Sequence, residues 1–310
     1  MIVPARALAL LLVAAPLPAF AQDGEPAPSD AVTAASDGDA IDVATPTPPA
    51  EPLWTVAVSG GISARDDGPD GSWQSLSLSR RIGRGYLRGT LMRYHGTLLQ
   101  ADVALPSDYY VGTVGAGGNF DNWVVDGWAS YGRQDYGRIS TTSGSRSSTG
   151  AKGSDYYAIG GDFGRVVPLG GNFYLTPTVA ASFANGRLLR PAPTDSGLTD
   201  LETGEPTWSA NATMRVDHAF GPSGIHYAGL SISRNWTSNG VSALRLRRSQ
   251  DESAAFSLDS KHYADGWFEA GAAASMKLGS GLYLDLFATR SFGVQAGNVT
   301  SAGATLRKSF

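Results

Sequence analysis

The chain has 310 residues, a net charge of −4 and no cysteine. Disulfides and thiolate chemistry are therefore excluded, and the acidic balance argues against nucleic acid as a partner. Charged residues make up only 17%, with 39 glycines, where a soluble globular domain carries about 25% charged residues; so little charge suits a surface that faces lipid.

The N-terminus reads Met-Ile-Val-Pro-Ala-Arg, followed by an apolar run over residues 7–17 and Ala19-Phe20-Ala21 before Gln22. A short basic start, an apolar core and a small-x-small cleavage site make residues 1–21 a secretory signal peptide. The run is too short to cross a membrane as a helix, which takes roughly 20 apolar residues. Residues 22–52 carry Asp23, Glu25, Asp30, Asp37, Asp39, Asp42 and Glu51 with no Lys or Arg, and end in Pro46, Pro48, Pro49 and Pro52. Such a segment buries too little apolar area to offset its ordering entropy. It is expected to be a disordered periplasmic spacer.

From residue 53 the pattern becomes alternating. Trp54, Val56 and Val58 share one face of the first strand, with Thr55, Ala57 and Ser59 on the other. Period two with unlike faces marks a strand between two environments. Strands are expected at about 73–82, 86–94, 108–118, 123–131, 156–167 and 172–183. The cleanest covers 208–217, where Trp208, Ala210, Ala212, Met214 and Val216 oppose Ser209, Asn211, Thr213, Arg215 and Asp217. Further strands follow at 225–236, 267–278, 282–291 and 299–310. Polar loops are expected at about 134–154 and 185–206. A third insertion, 237–265, contains 242–248 and 254–258, which could extend its flanking strands as a tall hairpin.

This gives about twelve strands. Short connections at 83–85, 119–122, 168–171, 221–224 and 279–281 fall after every second one. Even strand number, with short turns on one side and longer loops on the other, is the pattern of a bacterial outer-membrane barrel. Closure also removes the sheet edges that lipid cannot satisfy. The fold class expected is all-β, a closed antiparallel transmembrane β-barrel over residues 53–310; a secreted β-sandwich is the alternative.

The last strands read Trp-Phe-Glu-Ala-Gly-Ala-Ala-Ala-Ser-Met-Lys-Leu, then Gly-Ser-Gly, then Leu-Tyr-Leu-Asp-Leu-Phe-Ala-Thr-Arg-Ser-Phe-Gly, then a strand ending at Phe310. This resembles the end of autotransporter β-domains, as does the hairpin from Tyr157-Ala158-Ile159-Gly160-Gly161-Asp162-Phe163-Gly164 to Leu175-Thr176-Pro177-Thr178-Val179. The resemblance covers Leu53 to Phe310. It implies an outer-membrane location and recognition of the Phe310 strand by barrel-assembly machinery. Autotransporters carry a passenger of hundreds of residues ahead of the barrel. Here only residues 22–52 lie between the predicted cleavage site and the first strand, so no fused passenger is expected.

Alternation places Arg88, Asp126, Asp162, Arg215, Asp217, Glu269 and Asp285 on the inward face, with Lys277 a further candidate. Charges of both signs lining the lumen can pair across it, leave a narrow water-filled path, or both. The aromatics Trp54, Trp73, Tyr86, Tyr109, Trp123, Tyr157, Phe173, Trp208, Trp236, Trp267 and Phe310 lie near strand ends and are expected to form interfacial girdles. Of the histidines His95, His218, His226 and His262, His218 follows Asp217 but points to the opposite face. His262 stands near Ser260 and Asp265, a candidate hydrolytic constellation. Metal-binding motifs are lacking, and neither a cofactor nor an enzymatic activity is expected. Arg245, Arg247 and Arg248 form a basic cluster suited to lipopolysaccharide phosphates, or to a solvated strand rim. The expected function is an outer-membrane pore or export conduit for polysaccharide or another secreted polymer. The alternatives are a surface adhesin acting through its loops and an outer-membrane hydrolase.

Overall fold

The computed structural model describes residues 52–310, apart from 67, 101–102, 142–143, 193–197, 222–223 and 248–256. The predicted signal peptide and almost all of the spacer lie outside the described residues, as does Arg248.

Seventeen strands follow one another: β1 (Trp54–Arg65), β2 (Gly68–Ile82), β3 (Gly85–Gln100), β4 (Val103–Phe120), β5 (Trp123–Tyr136), β6 (Ile139–Thr141), β7 (Gly144–Arg146), β8 (Gly153–Arg165), β9 (Val167–Gly170), β10 (Phe173–Asn185), β11 (Arg187–Arg190), β12 (Leu201–Gly204), β13 (Thr207–Phe220), β14 (His226–Arg247), β15 (Ser257–Gly279), β16 (Leu282–Phe292) and β17 (Val299–Ser309). Twelve of them form a closed antiparallel ring in the order β1-β2-β3-β4-β5-β8-β10-β13-β14-β15-β16-β17. β17 returns to pair with β1 from Thr55↔Ser309 to Arg65↔Val299, which closes the ring.

The alternation seen in the sequence sets the two faces. Val58, Ile62, Leu76, Leu78, Leu91, Val114, Ile159, Val179, Met214, Leu230, Ile232 and Leu306 project outward and are exposed. Residues of the opposite parity point inward and are mostly small or hydroxyl-bearing. Their hydroxyls pair across neighbouring strands: Thr113–Ser130 at 2.8 Å, Thr213–Ser233 at 2.8 Å and Thr305–Ser59 at 2.8 Å. Such cross-strand pairs lock register.

The short turns lie together at one end of the ring. Between β4 and β5 the turn residues Asp121 and Asn122 both have positive φ, 54° and 68°. That is the requirement of a primed two-residue hairpin turn, and Asp and Asn tolerate it. At the other end the strands stand tall. β3 runs to Gln100 and β4 starts at Val103, well past the 86–94 and 108–118 expected from sequence. β14 and β15 pair to Arg247↔Ser257 beyond an irregularity at Thr237/Val241, which forms the tall hairpin. The stretches read as polar loops contain two small hairpins, β6–β7 and β11–β12.

Candidate functional site: the barrel interior and its outer mouth

The seven charged residues singled out in the sequence all share the inward parity of their strands. Four of them form a belt. Asp126, Asp162, Asp217 and Asp285 are each the fourth residue of their strand counted from the short-turn end. Alternation fixed their face; the register sets Asp126 directly against Asp162, while Asp217 and Asp285 stand on strands further round the ring.

Each part of the belt has its own partners. Asp126 accepts a hydrogen bond from the Tyr86 hydroxyl and lies 3.5 Å from the Arg88 guanidinium. Asp162 sits directly across from Asp126 on the neighbouring strand. Arg215 grips Asp217 two residues along β13, with Nε at 2.9 and 2.8 Å and Nη2 at 2.6 Å. Asp285 is 1% exposed; it accepts from the Ser275 hydroxyl at 2.6 Å and from Arg307 Nε at 3.3 Å. Glu269 stands apart, further up the barrel, opposite Ser233 and Ser291. Lys277 also faces inward, with its ammonium 5.9 Å from the centre of the Tyr283 ring. His218 points outward and stacks on Phe173 at 4.3 Å, away from its neighbour Asp217.

The girdle expectation needs correction at Trp73, Tyr86, Tyr109 and Trp267. All four share the inward parity, and Tyr109 and Trp267 are buried. Nearness to a strand end suggested a girdle, but parity decides the face; Trp73 shares the parity of Ser75, not that of Leu76. Trp54, Trp123, Tyr157, Phe173, Trp208, Trp236 and Phe310 are exposed on the outer face or rim.

The inward rings lie along the wall. Trp73 and Phe287 stack with centroids 6.0 Å apart. Both rest over Gly61 and Gly303, which face each other across the β1–β17 seam. A Cβ on Gly61 would come within 2.7 Å of Trp73 Nε1, and one on Gly303 within 2.6 Å of Phe287 Cε1. The two glycines thus provide the floor on which the rings lie flat, in the manner of aromatic rings covering strand glycines.

At the tall end, Leu98, Leu105, Ile139 and Leu189 are 0% exposed and pack with Leu188 into one apolar cluster. A polar cluster gathers on Glu205, just past β12. Its Oε1 accepts from the Ser260 hydroxyl at 2.8 Å, from Thr203 Oγ1 at 2.9 Å and from Arg190 at 3.3 Å. Its Oε2 accepts from Asn239 at 3.1 Å and lies 3.1 Å from His262 Nε2. Ser260 and His262 are therefore brought together, but with the carboxylate between them. Asp265 is turned to the Gly266 and Gln295 amides. Glu205 itself carried no signal in the sequence beyond being an acid in a loop. The backbone of Arg245 and Arg247 extends β14. Among the described residues no three His, Asp or Glu side chains converge as a metal site would need.

A family model, the autotransporter β-domain, matches residues 97–289. The chain belongs to the autotransporter β-domain family. It is thus an outer-membrane β-barrel translocator domain of autotransporter type, with the short turns at the periplasmic end and the tall hairpins outside. Solved structures agree on the fold. The translocator domain of the autotransporter NalP from Neisseria meningitidis superposes with a TM-score of 0.63 at 15% identity, over 84% of this chain and 89% of that one. The β-domain of the Bordetella autotransporter BrkA gives 0.55 at 16% identity, over 84% and 100%. The transport unit of AIDA-I from Escherichia coli gives 0.51 at 12%, over 87% and 93%. No curated protein matches the chain.

Proposed function

We propose that this autotransporter-type barrel is an export conduit whose interior passes an extended polymer of low charge, with polysaccharide as the chemical class. The observation that carries the reading is the interior wall. Trp73 and Phe287 lie flat over Gly61 and Gly303 and expose ring faces along the bore. The apolar C–H faces of sugar rings stack on such surfaces. Hydroxyls from Ser59 and Thr305 line the wall beside them, and those of Thr113 and Ser130 face the same bore further round the ring. The belt charges are largely neutralised by Arg88, Arg215 and Arg307, so no strong field of one sign would retain or repel an uncharged chain.

Single-channel recording in planar bilayers tests this. The folded barrel should show discrete openings, and neutral oligosaccharides should interrupt them. Trp73→Ala should shorten the interruptions. Openings indifferent to oligosaccharides would remove polysaccharide from the proposal. A barrel that stays silent even with its outer mouth cleared would overturn the conduit itself.

The reading assigns no reaction to the Glu205 cluster. A hydrolytic serine donates to an imidazole that acts as its base, whereas Ser260 donates to the carboxylate. His262→Ala should accordingly leave lipid and peptide turnover at background. A second reading, surface interaction, draws on the ordered outer hairpins. Deleting residues 135–154 and 238–262 with no change in surface binding would sink it. The lipid contacts we infer for the outer face include lipopolysaccharide at the outer rim, and barrel-assembly machinery is the inferred partner of the Phe310 strand.

A further inference from the structure

We propose that the cleft between β8 and β11 at the outer rim is a binding site for the phosphorylated sugar headgroup of lipopolysaccharide. The inference rests on the outer-rim lipid contact proposed above and names the site that makes it. It does not depend on the conduit.

The sheet itself makes the cleft. β10 pairs with β8 only as far as Asn185↔Tyr157. β8 continues outward to Gly153, still paired to β5 through Asp135↔Gly153. Past Asn185 the chain leaves the wall through Gly186 into β11. Among the described residues, the upper end of β8 is therefore paired on one side only. The gap is a cavity of about 340 Å³ whose lining includes Arg133, Asp155, Tyr157, Asn185, Arg187 and Glu202. That volume lies within the range of small-molecule sites.

Its height on the barrel points to a lipid headgroup. Arg133, Asp155 and Tyr157 carry the outward parity, shared with Tyr131 and Ile159. An aromatic belt lies at and just below the cleft. Tyr131 and Tyr157 face each other across β5 and β8. The Tyr157 and Phe183 rings are 6.2 Å apart, and those of Phe183 and Trp208 are 4.8 Å apart. Interfacial aromatics mark the level where headgroups begin. Acyl chains anchored there would run down over the exposed Ile159 and Val179, adding apolar burial to the polar contacts.

The lining has the chemistry of a sugar phosphate. Arg133 gives its Nε to Asp135 at 2.9 Å, and Arg187 gives Nη1 to Glu202 at 3.4 Å. A guanidinium carries five N–H donors, so both keep donors for a phosphate, which such groups bind through two bonds at once. Asn185 Nδ2 donates to the Tyr157 hydroxyl at 3.1 Å. Its amide oxygen and the Asp155 carboxylate are acceptors suited to sugar hydroxyls. Two guanidiniums beside such acceptors match a ring that carries both kinds of group.

The test is titration of the full-length folded barrel in detergent with diphosphorylated lipid A, with bound lipid counted by native mass spectrometry. Every variant is first checked for folding by heat-modifiable migration. Arg133→Ala with Arg187→Ala should weaken binding about tenfold. Removing the lipid's phosphates should weaken binding to the parent and erase its advantage over that variant. Arg245→Ala with Arg247→Ala and Arg248→Ala should leave the affinity unchanged. Glucosamine phosphate without acyl chains should compete only weakly; competition as strong as that of lipid A would overturn the lipid as the occupant. Equal lipid A affinity in the parent and the Arg133/Arg187 variant would overturn the site while leaving the rim contact standing. A parent that binds no lipid A would overturn both.

Discussion

Trp54 and Phe310 exchange both of their backbone hydrogen bonds: the Trp54 amide donates to the Phe310 carbonyl at 3.0 Å, and the Phe310 amide to the Trp54 carbonyl at 2.9 Å. The first and last residues of the barrel thus close its seam at the periplasmic rim. One step further, the Thr55 and Ser309 hydroxyls meet at 2.9 Å inside. An open seam in lipid leaves backbone groups with no partner. Deleting Phe310 removes this final rung together with an outward aromatic at the interface. We expect the deletion to reduce insertion, read as loss of heat-modifiable migration and of surface exposure. Normal migration of the variant would contradict the role given to this pair.

The seam also carries the glycine pair under the interior rings. Gly303→Val places a side chain 2.6 Å from Phe287 and 2.9 Å from the Gly60 carbonyl. Phe287 must then swing into the bore, and Trp73 loses its stacking partner. Overpacking of this kind costs about 1–3 kcal/mol. Thermal unfolding should shift downward, and unit conductance of the opened barrel should fall. Gly89, with nothing near its missing Cβ, is the control; Gly89→Ala should leave conductance unchanged.

Asp285 is the most deeply buried member of the belt. Removing its carboxylate takes one partner from the Arg307 guanidinium and the acceptor from the Ser275 hydroxyl. Breaking one side of a buried pair costs about 3–5 kcal/mol. Asp285→Ala should therefore unfold at clearly lower temperature or denaturant concentration than the parent. Lys277→Ala, whose ammonium faces a ring and not a carboxylate, should cost much less. Equal losses would argue that the belt does not act through pairing.

Outside the membrane, Asp200 clasps two loops. Its carboxylate accepts from Arg146 at 2.7 Å through each oxygen, and from the Ala192 and Thr149 amides at 2.7 and 2.8 Å. Arg146, followed by these backbone donors, holds the Asp200 carboxyl well below the ordinary carboxylate range against the opposing effect of burial. A depressed folded-state pKa contributes stability that is present above the unfolded value and lost as pH falls toward the folded one. The unfolded value is about 3.9. Hydrogen-exchange protection of the Thr149 and Ala192 amides should hold steady from neutral pH to about 5 and weaken only below about 4. Arg146→Ala should lower that protection at neutral pH, by about 3 kcal/mol locally, with the difference narrowing as pH falls below about 4, and without altering the barrel's migration. A clasp that loosened near pH 6 would point to another titrating group.

Much of the barrel was legible in the chain because lipid imposes simple demands. Every strand must pair, the ring must close, and one face must be apolar. Period-two alternation, Asp121-Asn122 and the other short turns, and the terminal strand ending at Phe310 follow from those demands. The strand number, the inward face of Asp126, Arg215 or Asp285, and the position of the turns could therefore be read residue by residue. Even the inward Trp73 was written there, in the parity it shares with Ser75; nearness to a strand end was the weaker cue.

What meets what inside the barrel was decided by tertiary structure. Asp126 is bound by Tyr86 and Arg88 from β3, two positions along the ring, and Asp285 by Arg307 from β17. Those pairings depend on the register of each strand against its neighbour, which alternation leaves open because a shift of two residues preserves both faces. The setting of β11 lay further out of reach. Leu188, Leu189 and Arg190 sit in a stretch with no sustained period, and their partners come from β3, β4, β6 and β14. Only closure of the ring brings those strands around a single mouth, where Leu188 and Leu189 can meet one set and Arg190 another.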